Sequence, residues 1–213
     1  MSPLVKICGV NDAAAMDAAV AARADLIGFV FFPRSPRHVT PARAAELHAR
    51  HAGGPVRAGL FVNPSDDDIA AFLAAVPLGL IQLHGEEAPE RCAGIRARFG
   101  LPVMKALGIA APRDLDALTR YAPVVDRFLL DAKAPEGAAL PGGNATPFDW
   151  SLTAGRIIRK PWLLAGGLTP ANVRDAIRAS GAPGVDVSSG VERARGVKDP
   201  ELVREFVARA RAA

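Results

Sequence analysis

Residues 162–190 read WLLAGGLTPANVRDAIRASGAPGVDVSSG, from Trp162 to Gly190. A short apolar run, Trp162–Leu164, leads into Gly166-Gly167 and then into Thr169-Pro170, a helix-capping residue followed by a helix-starting one. The segment 170–179 reads as a helix. Gly184–Val187 is a second apolar run, and it ends in Ser188-Ser189-Gly190. The order is strand, glycine turn, helix, strand. Both strands are apolar throughout rather than alternating, the habit of parallel strands covered on both faces.

The same unit recurs towards the N-terminus. Strands are expected at Leu4–Cys8, Leu26–Phe31, Arg57–Val62, Leu78–Leu83, Val103–Ala106 and Arg127–Leu130. Helices are expected at 12–22, 41–51, 66–75, 88–98, 113–120 and 199–211, with a weaker one near 148–157. Cap signals stand at Asn11-Asp12, Thr40-Pro41 and Ser65 before three acids. Eight β-then-α units with right-handed crossovers leave an open doubly wound sheet or a closed (β/α)8 barrel. Eight units, no long linker and a last helix able to pack beside the first favour the α/β class in its single-domain (β/α)8 TIM-barrel form, spanning residues 1–213. The 213-residue length gives about 26 residues per unit, near the lower limit for that fold.

Composition narrows the function classes. Half of the residues are hydrophobic, 23% are charged and the net charge is +4, which excludes a disordered chain. The densest apolar run, Leu26–Phe32, is far too short to span a membrane. The N-terminus lacks a basic region followed by a long apolar stretch, and two distant cysteines, Cys8 and Cys92, make no disulfide framework. A cytoplasmic protein is expected. The basic residues are scattered among acids, and there is one Tyr to stack on bases, so no nucleic-acid partner is expected. Four His without close pairing give no metal site. Monomer and homodimer both stay open.

In a barrel, chemistry gathers at the C-terminal ends of the strands. Gly166-Gly167 and Ser188-Ser189-Gly190 fall at strands seven and eight, where barrels commonly hold phosphate; the plainer reading is tight βα turns. Cys8 ends strand one and shares a face with Lys6 at period two. It is either a small buried hydrophobe or a base whose thiolate the ammonium favours. Asp131 ends strand six, as a capping group, an ion-pair partner of Lys133, or a general acid. Arg37, in Ser35-Pro36-Arg37, is a solvated loop cation or a carboxylate clamp. His84 is a second acid–base group or a structural histidine. Lys105 points either into the barrel or outward, and no role is assigned to it. Asp131–Pro147 is the one long loop, the kind that serves as a lid or binding loop.

Several blocks, in order, resemble the phosphoribosylanthranilate isomerase family. They are Lys6-Ile7-Cys8-Gly9, Gly28–Phe31 with Ser35-Pro36-Arg37, Gly59–Asn63, Gln82-Leu83-His84-Gly85 and Leu130-Asp131. Gly142-Gly143 before Phe148-Asp149-Trp150, Leu164–Leu168 and Asp186–Glu192 continue the series. The resemblance implies a cofactor-free barrel isomerase acting on a small molecule that carries phosphate and carboxylate. It implies an Amadori rearrangement with Cys8 as general base and Asp131 as general acid. Arg37 would meet the carboxylate, and Gly166, Gly167, Ser188, Ser189 and Gly190 the phosphate. Lys6, His84, Gly142 and Gly143 are further candidates. Where the family usually has Gly-Gly-Thr-Gly, this chain reads Gly142-Gly143-Asn144-Ala145, a departure that bears on loop closure. A histidine-pathway sugar-phosphate isomerase would use two aspartates, but strand one ends in Cys8. A non-catalytic phosphate-binding barrel would tolerate loss of Cys8 or Asp131, and both are present.

Overall fold

The computed structural model describes residues 2–134 and 147–213. Its strands are β1 (Leu4–Cys8), β2 (Leu26–Val30), β3 (Val56–Phe61), β4 (Leu80–Leu83), β5 (Val103–Ile109), β6 (Arg127–Ala132), β7 (Trp162–Leu164) and β8 (Gly184–Val187). They run parallel and close in chain order, β1 pairing with both β2 and β8, so the barrel prevails over the open sheet. The helices are α1 (Ala13–Ala21), α2 (Pro41–Arg50), α3 (Asp66–Ala75), α4 (Pro89–Phe99), α5 (Ala117–Tyr121), α6 (Val173–Ser180) and α7 (Pro200–Arg211). α7 packs against α1 and completes the ring.

Strand parity separates two cores. Ile7, Ile27, Phe29 and Ile81 face outward and join Met16, Leu47, Ile95 and Phe206 of the helices. Leu26, Ala58, Leu80, Met104, Leu129 and Leu163 fill the barrel interior. Each fully buried side chain of this size contributes roughly 1.5–3 kcal/mol of transfer free energy. Helix starts follow their caps: Asp12 accepts from the Ala15 amide, Thr40 from Arg43, and Ser65 forms a reciprocal box with Asp68. None of the helices among the described residues is long and apolar enough to cross a membrane.

Local differences have local causes. β5 runs on to Ile109 because β6 pairs with it as far as Ala132. The expected helix at 113–120 divides into a 3-10 turn, Pro112–Asp116, and the short α5, because Asp114 takes the Ala110 and Ala111 amides. Near 148–157 only a 3-10 turn forms, Trp150–Thr153, capped by Asp149 and followed by Gly155 at φ +68°. α6 starts at Val173 because Asn172 is spent on the preceding turn, its side chain accepting from the Thr169 amide and donating to the Gly167 carbonyl. A hairpin that no pattern announced, β9 (Glu192–Ala194) and β10 (Val197–Lys198), follows β8.

Candidate active site

Val5 and Ile7 face the helices, so Lys6 and Cys8 face the barrel interior. Opposite Cys8 on β2 is Gly28. A Cβ there would lie 2.9 Å from the Cys8 Sγ and 3.1 Å from the Lys6 Nζ, so this glycine leaves the space that thiol and ammonium share. The Lys6 Nζ donates to the Asp186 Oδ1 at 2.7 Å, and Asp186 is the register partner of Lys6 on β8. Burial works against the Lys6 ammonium, but Asp186 and then Cys8 outweigh it and hold its pKa above the ordinary value. The sequence suggested a favoured thiolate, yet the net shift runs the other way. Burial pushes the Cys8 thiol up; Lys6 opposes this, while Asp186 adds to it.

Asp131 lies within β6, two residues on from the inward-facing Leu129, and it is 7% exposed. Its Oδ1 accepts from the Ala132 amide at 2.8 Å, and its Oδ2 is 3.3 Å from the His84 Nε2. Gln82, on the same face of β4, meets the other ring nitrogen of His84 at 3.0 Å. Asp131 is thus paired with His84; Lys133 turns instead to Asp114 at 3.3 Å. A cavity of about 630 Å³ opens beside His84 and Asp131 towards β5 and α5, lined also by Lys105, Arg113, Tyr121 and Lys133; Cys8, Arg37 and the Gly166 and Ser188 loops are not among its lining residues.

Arg37 is buried rather than solvated, at 5% exposure. Its Nε and Nη2 grip the Glu192 carboxylate at 2.6 and 3.0 Å, and the Lys198 Nζ reaches the same carboxylate at 2.8 Å. Burial raises the Glu192 pKa, but Arg37 and Lys198 overcome that and bring it down to about 2.

The loops after β7 and β8 meet. Gly166 and Gly167 take φ of +85° and +63°, a region that favours glycine. A Cβ on Gly166 would lie 2.6 Å from the Ala132 amide nitrogen and 3.1 Å from the Asp131 Oδ1, so this turn lies directly against Asp131. A Cβ on Gly190 would collide with the Leu168 carbonyl. Lys198 donates to the Ser188 carbonyl at 2.9 Å, and Ser189–Val191 forms a 3-10 turn. Gly142, Gly143 and the Asn144-Ala145 departure lie outside the described residues, as does most of the Asp131–Pro147 loop.

The structure therefore joins Lys6 with Cys8, His84 with Asp131, and Asp131 with the Gly166 turn. Arg37 and Ser188 are joined through Glu192 and Lys198. Cys8 and Asp131 occupy the C-terminal ends of β1 and β6 in one barrel. Sequence reasoning missed Gln82, Asp186, Asn172, Glu192 and Lys198. Gln82 and Asp186 carried a signal, each a polar residue at the inward phase of an otherwise apolar strand. Glu192 closes the Asp186–Glu192 block of the resemblance but had no partner to suggest a role, and Lys198, beyond the last barrel strand, carried no signal. Among the described residues, no three His, Cys, Asp or Glu side chains gather into a metal-ligand set.

Comparison with known proteins adds independent findings. The family model for N-(5'phosphoribosyl)anthranilate (PRA) isomerase matches residues 5–209. The N-(5'-phosphoribosyl)anthranilate isomerase of Paracoccus denitrificans is 62% identical over 212 residues, covering 100% of this chain and 99% of the relative. That of Paramagnetospirillum magneticum is 56% identical over 207 residues, covering 97% and 96%. The crystal structure of the Thermotoga maritima phosphoribosyl anthranilate isomerase superposes with a TM-score of 0.88 at 37% identity, covering 99% of this chain and 100% of that one. A structure of the isomerase in complex with reduced 1-(o-carboxyphenylamino)-1-deoxyribulose 5-phosphate gives 0.85 at 35% identity, with the same coverage. On this evidence the chain belongs to the N-(5'-phosphoribosyl)anthranilate isomerase family.

Proposed function

We propose that this isomerase converts N-(5'-phosphoribosyl)anthranilate into 1-(2-carboxyphenylamino)-1-deoxyribulose 5-phosphate, as a cytoplasmic, single-domain enzyme of tryptophan biosynthesis. The proton transfers are assigned to Cys8 and Asp131. Protonated Asp131 gives its proton to the furanose ring oxygen. The C1–O bond breaks as the nitrogen lone pair forms the C1=N iminium. The Cys8 thiolate then takes the C2 proton, and the electron pair of that bond closes C1=C2 to give the enolamine. Ketonisation adds a proton at C1 and releases one from the C2 hydroxyl. One proton passing from the Cys8 thiol to Asp131 through solvent resets the pair. The rearrangement is redox-neutral within one molecule, so its electron count closes without an external acceptor.

What supports this reading is a thiol beside an ammonium on β1 and a carboxylate on β6, at the same end of one barrel in a chain of this family. Arg37 is assigned to the anthranilate carboxylate. The Gly166-Gly167 and Ser188-Ser189-Gly190 loops are assigned to the phosphate, since backbone amides and hydroxyls in a glycine turn favour an anion. Lys6 sets the charge around the thiol and His84 orients Asp131. A structure described as monomers made from a dimeric Thermotoga maritima isomerase makes a homodimer a further reading to test. The assay follows the decay of anthranilate-type fluorescence after addition of enzyme to freshly made substrate. Loss of the signal with stoichiometric product supports the assignment; no decay with folded protein overturns it.

A further inference from the structure

We infer that Glu192 is a positioning residue for Arg37 and that Lys198 locks it in place. The inference rests on the reading of Arg37 as the carboxylate grip. Four donors converge on the Glu192 carboxylate: Arg37 Nε at 2.6 Å and Lys198 Nζ at 2.8 Å on Oε1, Arg37 Nη2 and the Gly196 amide at 3.0 Å each on Oε2. A carboxylate offers about four lone-pair sites, so Glu192 is saturated and serves as an anchor rather than as a proton carrier.

The anchor is itself fixed. Gly196, at φ +82°, packs its Cα against Pro36, where a Cβ would lie 2.6 Å from the carbonyl oxygen; its own carbonyl accepts from the Asn11 side chain at 3.0 Å. The β9–β10 hairpin is thereby pinned to the loops after β1 and β2. The side chains of Arg37, Glu192 and Lys198 are 6%, 4% and 0% exposed. Arg37 and Lys198 share one carboxylate. Burial, with Arg37 beside it, pushes the Lys198 pKa down against the pull of Glu192, and a bound anion favours its ammonium, which gives the cluster a ligand-facing purpose beyond holding a loop. Arg37 Nη1 donates to no side chain among the described residues and is the part of the fork left for a ligand.

The test uses the full-length enzyme, with calorimetric binding of two separate probes, anthranilate for the carboxylate grip and inorganic phosphate for the phosphate grip. Glu192→Gln keeps the shape and removes the charge. It is expected to weaken anthranilate about tenfold, the loss of a charge-assisted fork, and to raise the substrate KM by a similar factor with kcat within about threefold. Phosphate binding should stay within about twofold, because Lys198 still holds Ser188. Placed on an Arg37→Ala background, Glu192→Gln should add nothing to the anthranilate loss. Glu192→Asp, which keeps the charge, should recover part of the affinity, and it carries the same test if the Gln variant fails to fold. Equal weakening of both probes, or additive losses in the double variant, would overturn the inference. Absence of turnover by the unaltered enzyme would overturn the proposed function instead and leave the two binding readouts intact.

Discussion

Two buried lysine–carboxylate pairs, on opposite sides of the same barrel wall, have almost the same geometry and different surroundings. Lys6 meets Asp186 at 2.7 Å inside the barrel, and Lys105 meets Glu87 at 2.9 Å behind it. On β1 the lysine shares its face with Cys8. On β5 the inward faces belong to Met104 and Ala106, so Lys105 points outward. There it donates to the Gly85 carbonyl at 2.6 Å, while Glu87 takes the Asn63 and Gly85 amides and so ties down the loop that follows His84. One phase of the strand period turns an ammonium towards the Cys8 thiol; the other makes it a clamp for a loop. The chemistry of a buried ion pair is thus set by parity before it is set by distance.

That contrast breaks most readily at Lys6. Lys6→Met should cost about 3–5 kcal/mol of stability by stranding Asp186, and should cut kcat/KM by about 10²-fold or more. Because Lys6 opposes the upward shift of the Cys8 thiol, its loss should move the acid limb of the pH–rate profile, where thiolate forms, further towards high pH. The double variant Lys6→Met/Asp186→Leu should recover stability but not rate. Recovery of both would mean that the inner pair is merely structural.

Lys105→Met should lose a similar amount of stability, about 3–5 kcal/mol by urea unfolding, because Glu87 is left buried without its cation. The folded variant should keep kcat/KM within about tenfold and leave the acid limb where it was. A shift of that limb would erase the distinction between the two sides of the wall.

The smallest effect belongs to the Arg37–Glu192–Lys198 group, a third arrangement in which two basic side chains share one carboxylate. Glu192 is held at about 2 against an ordinary 4.5, so its contribution is complete above the ordinary value and is lost as pH falls through the lowered one. Unfolding free energies should therefore drop by about 2 kcal/mol more in the unaltered protein than in Glu192→Gln between about pH 5 and about pH 3. Parallel pH curves would show that the lowered value brings no net stability.

How far the sequence reached follows the same logic. Strand order and closure were readable because buried parallel strands are apolar on both faces and each was followed by its turn and cap. The placement of Cys8, Asp131 and the Gly166 and Ser188 loops at the C-terminal ends of the strands was readable because a barrel fixes where strand ends point. Lys105 was not, since Val103–Ile109 is buried on both faces and offers no alternation from which to read parity. Nor was the burial of Arg37, whose partners arrive from a hairpin 155 residues away in the chain. The direction of the Cys8 shift was hidden for a related reason. Lys6 lies two residues away in the chain, while Asp186, which draws on the same ammonium, comes from β8.

The most direct test of the whole account compares turnover with ligand affinity in Cys8→Ser. A hydroxyl fits the space that Gly28 leaves but is a far weaker acid than a thiol, so kcat should fall at least about 10³-fold while the affinity for the reduced carboxyphenylamino-deoxyribulose phosphate stays within a few-fold. Turnover retained in that variant, or affinity lost in step with turnover, would contradict the proton shuttle between Cys8 and Asp131.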